Sequence, residues 1–291
     1  MMVPGKDAFS QKPGASVARI MKTGLIPKSR KSLNLILSCI DLTSLNVDDT
    51  SSKVRLMCRR INELPSRFPG CPNVSAICIF PSFVSEVAAH LKADGVGIAS
   101  VGAGFPSSQT FFEIKLSECL QAVKVGATEI DIVLSVGKFL EGDYKYAASE
   151  IRQIKRAVGK INLKVILETG LLPTPSDIYK ASQLSIQSGA DFIKTSTGKV
   201  EPASSPEAVL IMCEAIRNHH RAAGRKIGIK PAGGISTPEQ ALQYLSIVMA
   251  VLGDEWLNPG LFRIGASKLA NSILEDLQYM ITGKKKFLQY F

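Results

Sequence analysis

Asp191-Phe192-Ile193-Lys194-Thr195-Ser196-Thr197-Gly198-Lys199 joins a short apolar strand to a small, polar turn. Side chains alternate across a strand, so Phe192 and Lys194 share one face and Ile193 takes the other. A lysine is thereby aimed into a core. Beyond it come hydroxyls and a glycine, where backbone amides can approach an anion. Lys194 is the candidate reactive centre, and the rest of the chain has to explain why an amine is buried there.

Outward from this stretch a strand-then-helix rhythm repeats. Strands are expected over 39–43, 74–80, 96–101, 128–134, 163–168, 191–194, 227–230 and 262–265, each followed by a segment with the apolar spacing of a helix. In 48–64, for example, Val54, Met57, Cys58 and Ile61 recur at that spacing behind Asp48, Asp49 and Thr50 as capping candidates. Eight pairs in ~250 residues match a closed parallel barrel better than an open doubly wound sheet, because no Gly-x-Gly-x-x-Gly turn follows the first strand. The expectation is an α/β chain with one domain, a (β/α)8 TIM barrel over residues 32–282. A flexible basic extension at 1–31 precedes it, and a basic, aromatic tail at 283–291 follows. The active site of such a barrel lies at the C-terminal ends of its strands.

The 291 residues carry a net charge of +10, which invites a nucleic-acid reading until the charge is located. Residues 1–31 hold seven lysines and arginines against Asp7 alone, and Lys284, Lys285 and Lys286 add three more at the other end. The body is near neutral and lacks interleaved basic and aromatic residues, so no nucleic-acid partner is expected. No apolar run approaches the ~20 residues of a membrane helix, so no membrane partner is expected either. Cys39, Cys58, Cys71, Cys78, Cys119 and Cys213 form no C-x-x-C pair, and no secretory apolar core is present. They read as reduced thiols of a cytoplasmic protein. The basic, serine-containing N-terminal stretch faintly resembles a transit peptide, a reading that ranks below a disordered extension.

Alternation also assigns the polar residues of other strands. In Glu129-Ile130-Asp131-Ile132-Val133 the isoleucines suit the helix-facing side and leave Asp131 inside. Leu163, Val165 and Leu167 likewise leave Lys164 and Glu168 inside, and Ile227 and Ile229 leave Lys230 there. Buried lysines are costly unless paired, so Lys164, Lys194 and Lys230 around one aspartate demand a reason. A structural ion-pair network is one reading. The other is chemical: a lysine of pKa ~10.4 is neutral at pH 7 in roughly one molecule per few thousand, and only the neutral amine attacks a carbonyl. A second ammonium ~5 Å away, at an effective dielectric of ~20, contributes about 3 kcal/mol against charging the first, and burial adds to it. Lys230 thus makes Lys194 a nucleophile, with Asp131 placed to hold or relay a proton.

Three glycine turns complete the pattern. Thr197-Gly198-Lys199, Ala232-Gly233-Gly234 and Gly265-Ala266-Ser267 each follow a late strand, where barrels habitually cradle phosphate. A small phosphorylated substrate is expected.

Taken together, Asp41-Leu42-Thr43, Ala76-Ile77-Cys78-Ile79, Glu129-Ile130-Asp131, Lys164 through Gly170, Asp191 through Lys199, Gly228 through Gly234 and Arg263 through Ser267 resemble deoxyribose-phosphate aldolase, in matching order over about residues 33–282. The resemblance implies a metal-independent class I aldolase on a (β/α)8 barrel. That family interconverts 2-deoxy-D-ribose 5-phosphate with D-glyceraldehyde 3-phosphate and acetaldehyde. It implies Lys194 as the Schiff-base lysine, with Asp131 and Lys230 as proton donors and acceptors. Phosphate would lie against Gly198, Lys199, Gly233, Gly234, Gly265 and Ser267. Cys78 would line the acetaldehyde side, and Asp41 and Thr43 would help to place the sugar hydroxyls, with packing or strand-end hydrogen bonding as the plainer roles. No cofactor and no metal are implied, in keeping with His90, His219 and His220, which lie in helical stretches and form no ligand set.

Departures from the family pattern are few. Ser236 stands where many members have arginine, Lys268 where a second serine is common, and the loop from Gly102 to Pro106 is about a residue longer than usual. Several members end in a tyrosine that assists proton transfer; here Tyr290 is penultimate, in a tail with Phe287, Leu288 and Phe291. Two uses stay open for that tail: reaching the site, or docking on a protein partner or a second subunit. The rival to an aldolase is a barrel kept as a protein-binding scaffold through its tails, and a ketose-phosphate aldolase is a weaker alternative. A homodimer is compatible with the family.

Overall fold

The computed structural model describes residues 13–284 and 287–291. Eight short parallel strands build one sheet: β1 (Ile40–Thr43), β2 (Ala76–Ile79), β3 (Gly97–Gly102), β4 (Glu129–Val133), β5 (Asn162–Ile166), β6 (Phe192–Lys194), β7 (Gly228–Lys230) and β8 (Ile264–Ala266). Each pairs with its neighbour in sequence from β1 to β7, and β1 also pairs with β8. Bridges from Ile229 to Phe262 and from Ala232 to Gly265 join β7 to the β8 segment, so the sheet closes on itself. The expected (β/α)8 barrel is the fold of the chain.

The described helices are α1 (Pro13–Thr23), α2 (Arg30–Ser38), α3 (Ser51–Arg67), α4 (Val84–His90), α5 (Phe112–Lys124), α6 (Val136–Leu140), α7 (Tyr144–Val158), α8 (Pro175–Gln187), α9 (Pro206–Ala223), α10 (Pro238–Leu252) and α11 (Leu269–Thr282). Their starts are written locally. Thr174-Pro175, Ser205-Pro206 and Thr237-Pro238 each place a hydroxyl at the N-cap, where it accepts a backbone N–H, and a proline at the first helical position, where no N–H is needed. Thr50 caps α3 in the same way by accepting from the Lys53 amide.

Two separate cores follow from strand alternation. Ile130, Ile132, Leu163, Val165, Ile193, Ile227 and Ile229 face outward and pack with the helices. Inside the barrel, Ala76, Cys78, Ala99 and Val101 of β2 and β3 form a small apolar wall together with Leu45. The opposite half of the interior is charged, and that asymmetry locates the site.

The expectation of a flexible extension over 1–31 needs correction for its described part. Residues 13–23 form α1, which packs on α9 and α10 with Val17 buried and Ile20 and Met21 against the core. The Ile26 amide donates to Ser246 Oγ at 2.9 Å, and Lys28 Nζ bridges Glu239 and Asp276 at 2.9 and 2.7 Å. The amphipathic spacing of Val17, Ile20 and Met21 carries the signal, masked by the basic residues Arg19 and Lys22 beside them. Lys6, Asp7 and Lys12 lie outside the described residues. Val17→Asp should therefore lower stability by about 2–4 kcal/mol, the cost of burying an unpaired polar group, measured as a drop in denaturant midpoint; a free extension would show no change.

Candidate active site

Register brings the amines together. Lys194 on β6 and Lys230 on β7 are paired positions, as are Asp131 on β4 and Lys164 on β5, so all four sit at neighbouring heights on one side of the barrel. Asp131 is the hub. Its Oδ1 accepts from Lys164 Nζ at 2.8 Å, while its Oδ2 accepts from both Lys194 Nζ at 3.0 Å and Lys230 Nζ at 2.8 Å. The two amines share a single oxygen and so lie within each other's electrostatic reach. Asp131, Lys164 and Lys230 have no exposed surface, and Lys194 is 2% exposed.

The interior holds more charge than one aspartate. Asp41 pairs with Lys230 and accepts from Arg263 Nη1 at 2.7 Å; Glu129 pairs with Lys164 and accepts from Arg263 Nη2 at 2.9 Å. The family motifs contain Asp41, Glu129 and Arg263, whereas the alternation argument on β4 names only Asp131. Glu129 lies two residues earlier on the same face, so the same rule finds it. Glu168, expected inside with the lysines, is buried but turned elsewhere. It stands just past β5 in a left-handed conformation (φ 54°), and its carboxylate accepts from the Thr197 amide at 3.1 Å and from Thr197 Oγ1 at 2.6 Å. The left-handed backbone costs an L-residue about 1–2 kcal/mol, which those two bonds offset.

Charge states follow from these contacts. Burial lowers the Lys194 pKa and the Lys230 ammonium lowers it further, against the pull of Asp131. Burial acts the same way on Lys230, but Asp131 and Asp41 outweigh it and raise its pKa, so it stays an ammonium. Burial alone would protonate Asp131; Lys164, Lys230 and Lys194 override it and hold the carboxyl well below its usual range. Burial pushes the Cys78 thiol up, which keeps it neutral. The result is one amine with a lowered pKa beside an ammonium with a raised one, joined by a carboxylate.

Above the amines opens a cleft of about 380 Å³ at the C-terminal ends of β6, β7, β8 and β1. Of the candidate residues, Thr43, Lys194, Gly198, Lys199, Gly233, Gly234, Gly265 and Ser267 line it, as do Ser236 and Lys268. Asp131, Lys230, Asp41 and Cys78 lie buried beneath, outside its lining. The hydroxyls of the β6 turn are not free for a ligand. Thr195 Oγ1 and Ser196 Oγ both donate to the Ala232 carbonyl, at 3.1 and 2.6 Å, and Thr195 Oγ1 accepts from the Ala232 amide, so they lock the β6 turn to the β7 turn. Two glycines are required by this closeness. A Cβ on Gly233 (φ +90°) would fall 2.7 Å from Ala203 Cβ, and one on Gly265 would fall 2.8 Å from Ala232 Cβ and 3.1 Å from Lys230 Cε.

A model of the DeoC/LacD family of aldolases matches residues 35–274. The chain belongs to this family. It is 42% identical over 256 residues to the deoxyribose-phosphate aldolase of Homo sapiens, covering 84% of this chain and 80% of that one. With the deoxyribose-phosphate aldolase of Bos taurus the identity is 40% over 258 residues, covering 85% and 81%. Among solved structures, the tetrameric deoxyribose phosphate aldolase of Aeropyrum pernix shares the fold with a TM-score of 0.62 at 24% identity, covering 89% of this chain and all (100%) of that one. The family resemblance read from the motifs is thus confirmed, and the chain is an aldolase of the lysine type its interior suggests.

The C-terminal tail runs back along the outside of the barrel. Leu288 N donates to Glu275 at 2.8 Å, and Asn271 Oδ1 accepts from the amides of Tyr290 and Phe291 at 3.0 and 2.8 Å. Tyr290 packs edge-on against Phe68 at 5.1 Å and donates its hydroxyl to the Arg60 carbonyl at 2.6 Å. In this arrangement Tyr290 lies on α3 and α11, away from the cleft, and the tail covers its own chain; Lys285 and Lys286 lie outside the described residues. Tyr290→Phe should cost about 1 kcal/mol of stability, read from the denaturant midpoint, and leave aldolase turnover unchanged; a large fall in turnover would mean that the tyrosine works in the cleft.

Proposed function

We propose that this aldolase cleaves 2-deoxy-D-ribose 5-phosphate reversibly to D-glyceraldehyde 3-phosphate and acetaldehyde through a Schiff base on Lys194. The observation that carries the reading is the shared Asp131 oxygen, which sets the Lys194 amine, its pKa lowered, beside the Lys230 ammonium at the floor of the cleft. Substrate identity rests on the family and on the names of its relatives.

The chemistry proceeds from these groups. The neutral Lys194 Nζ adds to the aldehyde carbon of the open-chain sugar, and loss of water leaves an iminium. The iminium is an electron sink, so the C2–C3 bond breaks as the C3 hydroxyl gives up its proton; glyceraldehyde 3-phosphate departs and an enamine remains. Protonation of that enamine at carbon, then hydrolysis, frees acetaldehyde and Lys194. Lys230 and Asp131 supply and accept the protons, because Lys230 stays charged and Asp131 bridges it to the reacting nitrogen. The phosphate lies among Gly198, Lys199, Gly233, Gly234, Gly265 and Ser267. Lys268 adds a cation there, where Ser236 has removed the family's arginine. Thr43 sits at the cleft wall for the sugar hydroxyls. Asp41 acts on Lys230 from below, since its carboxylate is engaged there and by Arg263. Cys78 closes the apolar side where acetaldehyde forms.

The scaffold reading gains nothing from the tail, which is folded onto α3 and α11. Among the described residues no helix is long and apolar enough to cross a membrane, and all six cysteines are free thiols. A cytoplasmic role in deoxyribonucleotide and carbohydrate catabolism accords with that substrate, and a homodimer remains part of the reading by family analogy.

Three outcomes test it. Incubation with deoxyribose 5-phosphate and borohydride should leave one reduced adduct, on Lys194, located by peptide mass; an adduct elsewhere, or none, refutes the assignment. Substituting dihydroxyacetone phosphate for acetaldehyde as donor should abolish synthesis. Lys230→Met should raise the Lys194 pKa, moving the acid limb of the pH–rate profile to higher pH and lowering turnover at pH 7 about 100-fold, the equivalent of two pKa units. An unmoved limb would mean that the second ammonium does not set the first.

A further inference from the structure

The ion pairs do not stop at the reacting amines. From Asp131 they run through Lys230 to Asp41 and through Lys164 to Glu129, and both branches end on one guanidinium, that of Arg263. Arg263 precedes β8, is 6% exposed, and stands 5.8 Å from the centre of the Phe192 ring. It lines no part of the cleft. The connected groups are three carboxylates, Asp41, Glu129 and Asp131, and four bases, Lys164, Lys194, Lys230 and Arg263. With Lys194 uncharged, the formal charges cancel.

We propose that Arg263 and Glu129 are positioning residues that set the protonation state of Lys194 by balancing the buried charge, the neutral amine being the state in which the ion-paired interior has no net charge. The inference rests on Lys194 being the Schiff-base amine. Charge at this depth is poorly screened by salt or water, so a unit change at the far end of the network reaches the near end. The walls of the barrel contribute Asp41 from β1, Cys78 as a neutral thiol from β2, no titratable group from the inner face of β3, Glu129 and Asp131 from β4, Lys164 from β5, Lys194 from β6, Lys230 from β7 and Arg263 before β8. At the mouth, outside these ion pairs, Glu168 adds one negative charge, and Lys199 and Lys268 add two positive ones on the cleft rim.

Charge balance makes a prediction that packing does not. Removing the guanidinium leaves an excess negative charge that a proton on Lys194 cancels; removing the Glu129 carboxylate leaves an excess positive charge that opposes that proton. The two substitutions must move Lys194 in opposite directions although neither side chain touches it.

The test measures the rate at which Lys194 is alkylated by acetaldehyde and cyanoborohydride as a function of pH, in the full chain, with the adduct located by peptide mass and folding checked by circular dichroism. Arg263→Met should shift the apparent pKa of this reaction up by about one unit, and Glu129→Gln should shift it down by about as much, the effect of a unit charge ~10 Å away at an effective dielectric of ~20. Arg263→Lys and the double variant Arg263→Met/Glu129→Gln, which keep or restore the balance, should return it to the wild-type value. Shifts of the same sign, or none in folded protein, overturn the inference while wild-type turnover of deoxyribose 5-phosphate leaves the functional reading standing. Absence of a Lys194 adduct in the wild type sinks both. If Arg263→Met does not fold, the isosteric Glu129→Gln decides alone, and an unshifted pKa overturns the inference.

Discussion

One carboxylate holds three lysine amines in the buried interior of the barrel. Asp131 gives one oxygen to Lys164 and the other to Lys194 and Lys230, and the site exists because that sharing is incomplete. Lys230 has Asp41 as a second anion and keeps its proton. Lys194 has only a share of one oxygen, beside the Lys230 ammonium, and its pKa is lowered from the ordinary lysine value by burial and by that neighbour. Such a cluster stabilises a fold poorly, since desolvating paired ions costs about as much as their attraction returns. Its presence in the barrel is better explained by the chemistry that an uncharged amine makes available.

The barrel serves this arrangement through its two-sided interior. On β2 and β3, Ala76, Cys78, Ala99 and Val101 offer small apolar surfaces, while β4 through β8 and β1 offer charge. An apolar wall keeps the local dielectric low, which strengthens the effect of Lys230 on Lys194 and leaves room for a small aldehyde. Each strand contributes few residues, so each inward position matters. Glycine at 265 is part of the same economy, because any side chain there would press on the Lys230 stem.

Above the amines, the glycine-rich rim of the cleft is built by mutual locking of loops. Thr195, Ser196 and Thr197 spend their hydroxyls on Ala232 and Glu168, which leaves Gly198 and Gly233 in contact and their backbones facing the cleft. The described residues near the two termini pack on the outside of the barrel. Residues 13–23 and 287–291 are tied to the outer helices, one over α9 and α10 and the other over α3 and α11. Neither reaches the chemistry.

The amino-acid sequence by itself determined the barrel, because strand alternation, Ser/Thr-Pro helix starts and the strand-helix count are local properties that survive without neighbours. It likewise determined Lys194, Lys230 and Asp131 as inward-facing, and the glycine turns as rim. What it did not contain is who pairs with whom. Asp41, Glu129 and Arg263 belong to one network although up to 222 residues separate them, and only closure of the sheet brings β1 beside β8 and across from β4. The fate of hydroxyls and of the tail was equally a tertiary matter: Thr195, Ser196 and Tyr290 carry groups that suit a ligand as well as a carbonyl, and proximity to Ala232 and Arg60 chose the carbonyl. Local patterns say which way a side chain points; the partner it meets depends on long-range geometry, and here that geometry lowers the pKa of Lys194.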